Sequence, residues 1–186
     1  MLRHIVVSGP AGSGKSTVAR ALAGERRRVF IEGDDLHPED NVGKMRNGRP
    51  LTDDDRLPWL RAIRAELDRR SAQGESVVVA CSALRRQYRD LLRGQAGDVF
   101  IVQLVTDVAT LNERVAGRAG HFMPSILIQS QIAALEPLGL DEVGAVIRAH
   151  LPPDRVLMEV EKALAHLGPA STRLNQPDDR RIDYDR

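Results

Sequence analysis

Several features of secreted, membrane-bound and disulfide-stabilised proteins are missing from this 186-residue chain. Its single cysteine, Cys81, cannot form an internal disulfide bond. No apolar run approaches the roughly 20 residues that a membrane-spanning helix requires. The chain enters a strand-like run almost at once, without the pattern of a secretory signal. We therefore expect a cytoplasmic protein with no membrane partner.

A strong excess of charge of either sign is also missing. The 27 basic and 26 acidic side chains leave a formal net charge of +1. Proteins that bind nucleic acid usually carry a marked basic excess or patch, so we expect no nucleic-acid partner. Lysine occurs only as Lys15, Lys44 and Lys162, and arginine supplies the other basic side chains. Arginine has a planar guanidinium that suits carboxylate and phosphate groups.

Short apolar runs alternate with amphipathic segments along the chain. The pattern predicts strands at 4–9, 28–34, 76–83, 99–106 and 144–150. It predicts helices at 15–25, 55–74, 87–94, 108–118 and 153–168. Because apolar strands that alternate with helices form parallel sheets covered on both faces, we expect one α/β domain over 1–168. Residues 169–186 lack apolar periodicity and are expected to form a disordered tail.

The most specific motif is GPAGSGKS, Gly9 to Ser16, which fits G-x-x-x-x-G-K-[ST] between a predicted strand and a predicted helix. Its glycines allow backbone N–H groups to point inward at a phosphate, and the helix N-terminus adds a positive dipole end. In this motif Lys15 reaches the β- and γ-phosphates, and the Ser16 hydroxyl ligates Mg²⁺. The expected nucleotide contacts, for ATP or GTP, are Gly9, Pro10, Ala11, Gly12, Ser13, Gly14, Lys15, Ser16 and Thr17. Thr17 lies past the motif position, where a role in starting the helix is the alternative.

A cluster of carboxylates follows the second predicted strand, in IEGDDLHPED at 31–40. In an open parallel sheet, ligands bind beyond the carboxyl ends of the strands, so this cluster and the phosphate loop should share one edge. A carboxylate at that edge could accept a proton from an attacking hydroxyl group or hold water on Mg²⁺. Cys81 and Ser82 end the third predicted strand at the same edge, and Cys81 is expected to be buried rather than nucleophilic.

Five segments resemble the small bacterial-type gluconate kinases: GPAGSGKS, GDDLHP, NVGKMRNGRPLTDDDRLPWL, CSALRRQYRDLLR and RAGHF, in this order. The similarity covers roughly residues 4–137. It implies a P-loop kinase fold like that of shikimate and nucleoside monophosphate kinases, with a parallel sheet of about five strands. It places an acceptor-binding segment at about 36–60 and a lid at about 114–130. It further implies phosphorylation of the 6-hydroxyl of D-gluconate with ATP and Mg²⁺, and a homodimer.

The resemblance gives roles to the carboxylate cluster. Asp34 is the candidate for gripping the acceptor hydroxyl and acting as base, with a turn or cap residue as the alternative. His37 is restrained to an extended backbone by Pro38, and could bind a sugar hydroxyl or be structural. Glu32 stands where the family usually has aspartate, and its longer side chain could still hold a Mg²⁺-bound water.

The acceptor pocket needs a cation, because gluconate is an anion and a guanidinium can hold a carboxylate through two parallel hydrogen bonds. The resemblance favours Arg56 and Arg89 for this role, with Lys44 behind them. Ser82 could touch Mg²⁺ or the acceptor. Trp59, the one tryptophan, is expected in the core rather than as a stacking platform for a sugar.

The segment NERVAGRAGHF, at 112–122, resembles the lid of these kinases. Arg114 and Arg118 lie four positions apart and share a face if the helix continues. Closing over ATP, they would stabilise charge on the transferring phosphoryl group and exclude water. His121, with Phe122, is expected in or near the closed site. Beyond the match, Arg148 replaces the aspartate that relatives tend to carry beside the adenine.

Other functions stay open at this point. A kinase for shikimate or another sugar acid would share the phosphate loop but not the GDDLHP and CSALRRQYRD segments. A nucleotide-binding switch without a small substrate is the alternative from a different class, and the paired lid arginines argue against it. A nucleic-acid end kinase is disfavoured by the near-neutral charge.

Overall fold

A parallel β-sheet forms the centre of the computed structural model, which describes residues 3–95, 97–117 and 125–166. Its strands are β1 (His4–Ser8), β2 (Val29–Glu32), β3 (Val77–Ala80), β4 (Val99–Val105) and β5 (Gly144–Arg148). Within the described residues the strand order is β2-β3-β1-β4-β5, and every neighbouring pair is parallel. All five strands coincide with predicted strands, so the expected α/β class is confirmed.

Helices lie along the connections between the strands, and one more follows β5. They are α1 (Lys15–Glu25), α2 (Glu39–Arg46), α3 (Asp53–Ala72), α4 (Arg86–Arg93), α5 (Val108–Ala116), α6 (Ser125–Ala133) and α7 (Pro153–Ala165). A 3-10 turn at Gly33–Leu36 follows β2. This turn, α2 and α6 were not predicted as elements from the sequence. In the described ranges, no helix has both the length and the apolar character needed to cross a membrane.

Helix α3 begins at Asp53, earlier than the predicted residue 55. The Thr52 side chain accepts a hydrogen bond from the backbone N–H of Asp55, and the Asp55 side chain accepts one from the backbone N–H of Thr52. This reciprocal capping box satisfies two N–H groups at the helix start, and three aspartates in the first turn oppose the positive end of its dipole. The run of three aspartates therefore marks the start of α3.

Both faces of the sheet are covered, as the continuous apolar strands predict. Side chains alternate along β1, so Ile5 and Val7 pack with α1 and α7, while Val6 packs with α3 and α4 on the other face. Trp59, at 1% exposure, belongs to the second cluster, which confirms its expected core position. Cys81 is also fully buried, as expected.

The carboxyl ends of β1, β2 and β3 meet at one edge of the sheet, and short contacts hold their extensions together. The Gly9 N–H donates to the Ser82 carbonyl over 3.2 Å, and the Ser8 hydroxyl donates to the same carbonyl over 2.8 Å. A Cβ atom on Gly33 would lie 2.4 Å from the Ala80 carbonyl oxygen, so only glycine allows the chain to pass so close to β3. This edge is where the candidate site is built.

Candidate functional site

The phosphate loop connects β1 to α1 through residues with backbone angles that favour glycine. Gly9, Gly12 and Gly14 have φ values of 141°, 81° and 92°. A Cβ on Gly9 would lie 2.6 Å from the Leu104 carbonyl oxygen, which adds a steric reason for glycine there. Lys15 is the first residue of α1, and its ammonium group donates to the Pro10 carbonyl over 3.0 Å. In this structure the Lys15 side chain therefore contacts the backbone of its own loop.

Ser16 and Glu32 form the point where α1 meets β2. The Ser16 hydroxyl neighbours the Glu32 carboxylate, and Arg20 Nη2 lies 3.7 Å from Glu32 Oε2. Burial raises the pKa of Glu32, and the Ser16 hydroxyl opposes that rise. A half-buried carboxylate next to a hydroxyl on the phosphate loop fits Mg²⁺ bound directly by Ser16 and through water by Glu32. Within the described part of the chain, no cluster of three or more His, Cys, Asp or Glu side chains forms a protein-only metal site.

One cleft lies beside the phosphate loop at this edge of the sheet. The predicted site residues that line it are Ala11, Lys15, Asp34, His37, Arg56 and Ser82. The structure adds several residues that the sequence did not single out as ligands, chiefly Arg49, Trp59, Tyr88, Ser130 and Gln131. The cleft thus combines the phosphate loop, the segment after β2, the start of α3 and the helix α6.

Asp34 and His37 enter the cleft from the 3-10 turn and its end. Asp34 is exposed, and His37 has the extended backbone expected before proline, with φ −67° and ψ 136°. The His37 ring stacks on the Trp59 ring with centroids 4.1 Å apart, and Trp59 Nε1 donates to the Gly33 carbonyl over 2.7 Å. Burial lowers the pKa of His37 to about 4, so its imidazole is neutral near pH 7.

Arg56 lies at the cleft wall with Tyr88 and Asp53. The Asp53 carboxylate accepts hydrogen bonds from Tyr88 Oη at 2.5 Å, Arg85 Nη1 at 2.6 Å and Gln87 Nε2 at 2.8 Å. The Tyr88 hydroxyl is the largest cause of the lowered pKa of Asp53. Arg56 Nη1 lies 3.8 Å from Asp53 Oδ1, and the Arg56 guanidinium lies over the Tyr88 ring. Asp53 therefore anchors the wall around Arg56.

Lys44 was predicted behind the carboxylate-binding arginines, but it is not among the cleft-lining residues. Its ammonium group lies 2.5 Å from Asp55 Oδ1 and is the first cause that lowers the pKa of Asp55 to about 2. The ion pair links α2 to the start of α3 across the acceptor segment.

Arg89 corrects the sequence-based prediction of a carboxylate clamp. Its side chain is fully buried, and Nε and Nη2 each donate to the Glu142 carboxylate over 2.7 Å. Its other donors bond to the carbonyls of Leu84, Glu136 and Pro137. All five guanidinium N–H groups are thereby used within the protein. Arg89 holds the segment before β5 against α4 rather than binding a ligand.

The lid region is described in part. Arg114 lies in the last turn of α5, whereas Arg118, His121 and Phe122 lie outside the described residues. Helix α6 follows, and Gln131 on it accepts a hydrogen bond from the backbone N–H of Ala11 over 2.7 Å. One sequence signal indicated a role of Gln131 at this site, namely its position just after the segment that resembles a lid.

Comparison with known proteins agrees with this geometry. A family model described as an AAA domain matches residues 5–138. The gluconokinase of Gluconobacter oxydans (strain 621H) is 44% identical over 158 residues, which cover 85% of this chain and 89% of that protein. The chain belongs to the gluconokinase family. The resemblance noted in the sequence is thereby confirmed.

Solved structures place this gluconokinase-family chain among the P-loop kinases. A gluconokinase from Sinorhizobium meliloti 1021 matches with a TM-score of 0.80 and 45% identity, covering 88% of this chain and 92% of that one. A shikimate kinase from Aquifex aeolicus vf5 matches with a TM-score of 0.56 and 15% identity, covering 90% and 99%. The second match shows a shared fold alone, and it confirms the expected kinase architecture.

Proposed function

We propose that this gluconokinase-family chain transfers the γ-phosphoryl group of ATP to the 6-hydroxyl group of D-gluconate, giving 6-phospho-D-gluconate. The observation that carries the proposal is a single cleft lined by Lys15 of the phosphate loop, the Asp34 carboxylate and the Arg56 guanidinium. These three groups suit a phosphate, a reacting hydroxyl group and a carboxylate, in that order. The named relatives supply the identity of the sugar acid.

The nucleotide side of the site is formed by residues 9–17. Backbone N–H groups of the loop and the N-terminus of α1 would hold the phosphates, and Lys15 would reach the β- and γ-phosphates. Ser16 and Glu32 fit a Mg²⁺ ion, which when bound neutralises charge on the phosphate oxygens. Arg114 and Arg118, with the lid, would cover the transferring group and exclude water.

The acceptor side lies between the 3-10 turn and α3. Asp34, exposed at the cleft, would accept the proton of the 6-hydroxyl group as its oxygen attacks the γ-phosphorus. Arg56 would hold the gluconate carboxylate, because its pairing with Asp53 is loose at 3.8 Å and leaves room for a closer anion. Arg49, which also lines the cleft, supplies a second cation there. His37, Ser82 and His121 complete the proposed acceptor contacts.

Lys44 takes an indirect part in this proposal. Its ion pair with Asp55 holds α2 against α3, and these helices carry acceptor-side residues. We also propose that the chain works in the cytoplasm, without a nucleic-acid partner given its near-neutral charge, and, from the family resemblance, as a homodimer.

The experiment that tests the proposal is ADP release from MgATP across a panel of acceptors: gluconate, related aldonates, shikimate, glycerate and none. Saturable turnover with gluconate alone is the expected result. Turnover with a different acid would overturn the substrate assignment while leaving the kinase intact. Binding of ATP without turnover on any acceptor would instead indicate a nucleotide-binding switch.

A further inference from the structure

Asn41 lies between the acceptor segment and α3, in a buried position that the proposed reaction does not use. It is 4% exposed and belongs to α2. Its Nδ2 atom donates to the Asp55 backbone carbonyl over 2.7 Å. Because a carbonyl oxygen only accepts hydrogen bonds, this contact fixes which end of the Asn41 amide is the NH₂ group.

The same NH₂ group also faces His37. Asn41 Nδ2 lies 3.4 Å from His37 Nδ1, and an amide NH₂ group can only donate. His37 Nδ1 must then be the acceptor, that is, the ring nitrogen without a proton. In a neutral imidazole the proton consequently lies on Nε2.

The orientation of the His37 ring is also fixed by Trp59. The ring stacks on Trp59 with an interplanar angle of 13°, and Trp59 is in turn held by its hydrogen bond to the Gly33 carbonyl. His37 Nε2 makes no hydrogen bond to the part of the chain that the structure describes, while the ring lines the cleft. The His37 ring therefore presents an acceptor, Nδ1, to Asn41 and keeps a donor, Nε2–H, for the cleft.

We propose that Asn41 is a positioning residue that holds His37 in the Nε2–H tautomer, so that His37 donates a hydrogen bond to an oxygen atom of the acceptor. The identity of that oxygen, on a gluconate hydroxyl or carboxylate, rests on the proposed function. The tautomer itself does not. The low pKa of His37 agrees with a ring that stays neutral, with Asp34 and Arg56 as the charged groups that face it.

The tautomer can be measured without any substrate. Two-bond ¹H–¹⁵N correlation spectra of the full chain, labelled in its histidines, distinguish the two neutral tautomers and the imidazolium. The His37→Gln variant identifies the His37 signals by their loss. We expect the neutral Nε2–H form at pH 7. A neutral Nδ1–H form, or an imidazolium, would overturn the proposal even if gluconate is the substrate.

Asn41→Asp tests the role of the amide with almost no change of shape. A carboxylate can only accept, so it should draw the proton of His37 to Nδ1 and raise the pKa of the ring. We expect the spectrum to change to the Nδ1–H form or the imidazolium, and the KM for gluconate to rise about tenfold, the value of one hydrogen bond. The KM for ATP should change less than about twofold. An unchanged tautomer and an unchanged KM for gluconate would contradict the proposal.

The matched control is Asn47→Asp. Asn47 follows the same helix, is exposed, and also donates from Nδ2 to a backbone carbonyl, that of Gly43, over 2.9 Å. It is not among the cleft-lining residues and has no hydrogen bond to His37, so the His37 spectrum and both KM values should stay as in the unchanged chain. His37→Phe, which keeps an aromatic ring against Trp59 but no nitrogen, should raise the KM for gluconate as Asn41→Asp does. A normal KM in His37→Phe would show that the ring donates nothing to the acceptor.

Discussion

The backbone N–H of Ala11 donates a hydrogen bond to Gln131 Oε1 over 2.7 Å, joining the phosphate loop to a helix 120 positions further along the chain. Helix α6 begins within the predicted lid at about 114–130; Ser130 and Gln131 on it line the cleft, as does Ala134 just after the helix. The contact therefore couples the position of α6 to the loop that is proposed to hold the nucleotide phosphates.

Gln131 should matter more for phosphoryl transfer than for nucleotide binding. We expect Gln131→Ala to lower kcat about tenfold, since one hydrogen bond near the transferring group is lost. Gln131→Glu should lower it further, because a carboxylate would repel phosphate oxygens. Steady-state kinetics and ATP-binding calorimetry measure both effects. Gln73→Ala, at the exposed end of α3, is the control. Equal losses in ATP binding and kcat would contradict a role specific to transfer.

Lys15→Ala should abolish phosphoryl transfer while the fold survives. Lys15 is the only lysine among the cleft-lining residues. Without its ammonium group, the negative charge on the nucleotide phosphates would lose the cation that neutralises it. Activity assays and circular dichroism spectra of the variant check the two halves of the expectation. Lys162→Ala, which removes a surface ion pair with Glu159, should leave activity unchanged. An active Lys15→Ala variant would contradict the nucleotide assignment.

Asp34→Asn should lower turnover by orders of magnitude with a modest loss of ATP binding. The amide keeps the shape of the side chain but cannot accept the proton of the attacking hydroxyl group. The comparison to make is with Asp35→Asn, the exposed neighbour in the same 3-10 turn, which is not among the cleft-lining residues. Unchanged turnover in Asp34→Asn would contradict the role as base and leave Asp34 as a turn residue.

Replacing Arg56 should affect substrate binding, whereas replacing Arg89 should affect stability. Arg56→Ala should raise the KM for gluconate by about tenfold or more with little loss of stability, since the guanidinium faces the cleft. Arg89→Ala should lower the free energy of unfolding by about 3–5 kcal/mol, because Glu142 is left buried and unpaired. Kinetics and urea unfolding separate the two outcomes.

Matched arginine controls lie on the same two helices. Arg61→Ala, at an exposed position of α3, should leave the KM for gluconate unchanged. Arg93→Ala, whose surface pair with Asp90 spans 3.6 Å, should cost less than about 1 kcal/mol. A stable Arg89→Ala variant with a raised KM for gluconate would restore Arg89 as an acceptor ligand.

The stability of the fold should depend on His37 between about pH 4 and pH 6.5. The folded-state pKa of His37 is lowered from 6.5 to about 4, so in this window the unfolded chain binds a proton that the folded chain does not. The His37 contribution to stability is therefore present above pH 6.5 and is lost as the pH falls toward 4. Urea unfolding over this range should show a shallower pH dependence in His37→Gln. An identical dependence in both proteins would mean that the ring titrates normally when folded.

Local patterns sufficed for much of the fold, but not for the pairing of the arginines. The strands and the phosphate loop are defined by short apolar runs and glycine positions that are visible in the sequence itself. Helices α2 and α6 carry no clear amphipathic pattern and escaped prediction. The sequence alone does not distinguish Arg56 from Arg89. The tertiary contact with Glu142 shows that Arg89 is structural. Tyr88 and Gln131 reach the cleft for the same reason, through partners distant in the chain.

The measurement that tests the central claim most directly is the identity of the product formed from MgATP and D-gluconate. Phosphorus and carbon NMR spectra of the reaction should show one phosphomonoester, with the phosphate on the 6-oxygen, formed in equal amount with ADP. Release of inorganic phosphate with unmodified gluconate, or a phosphate on another oxygen, would contradict the account.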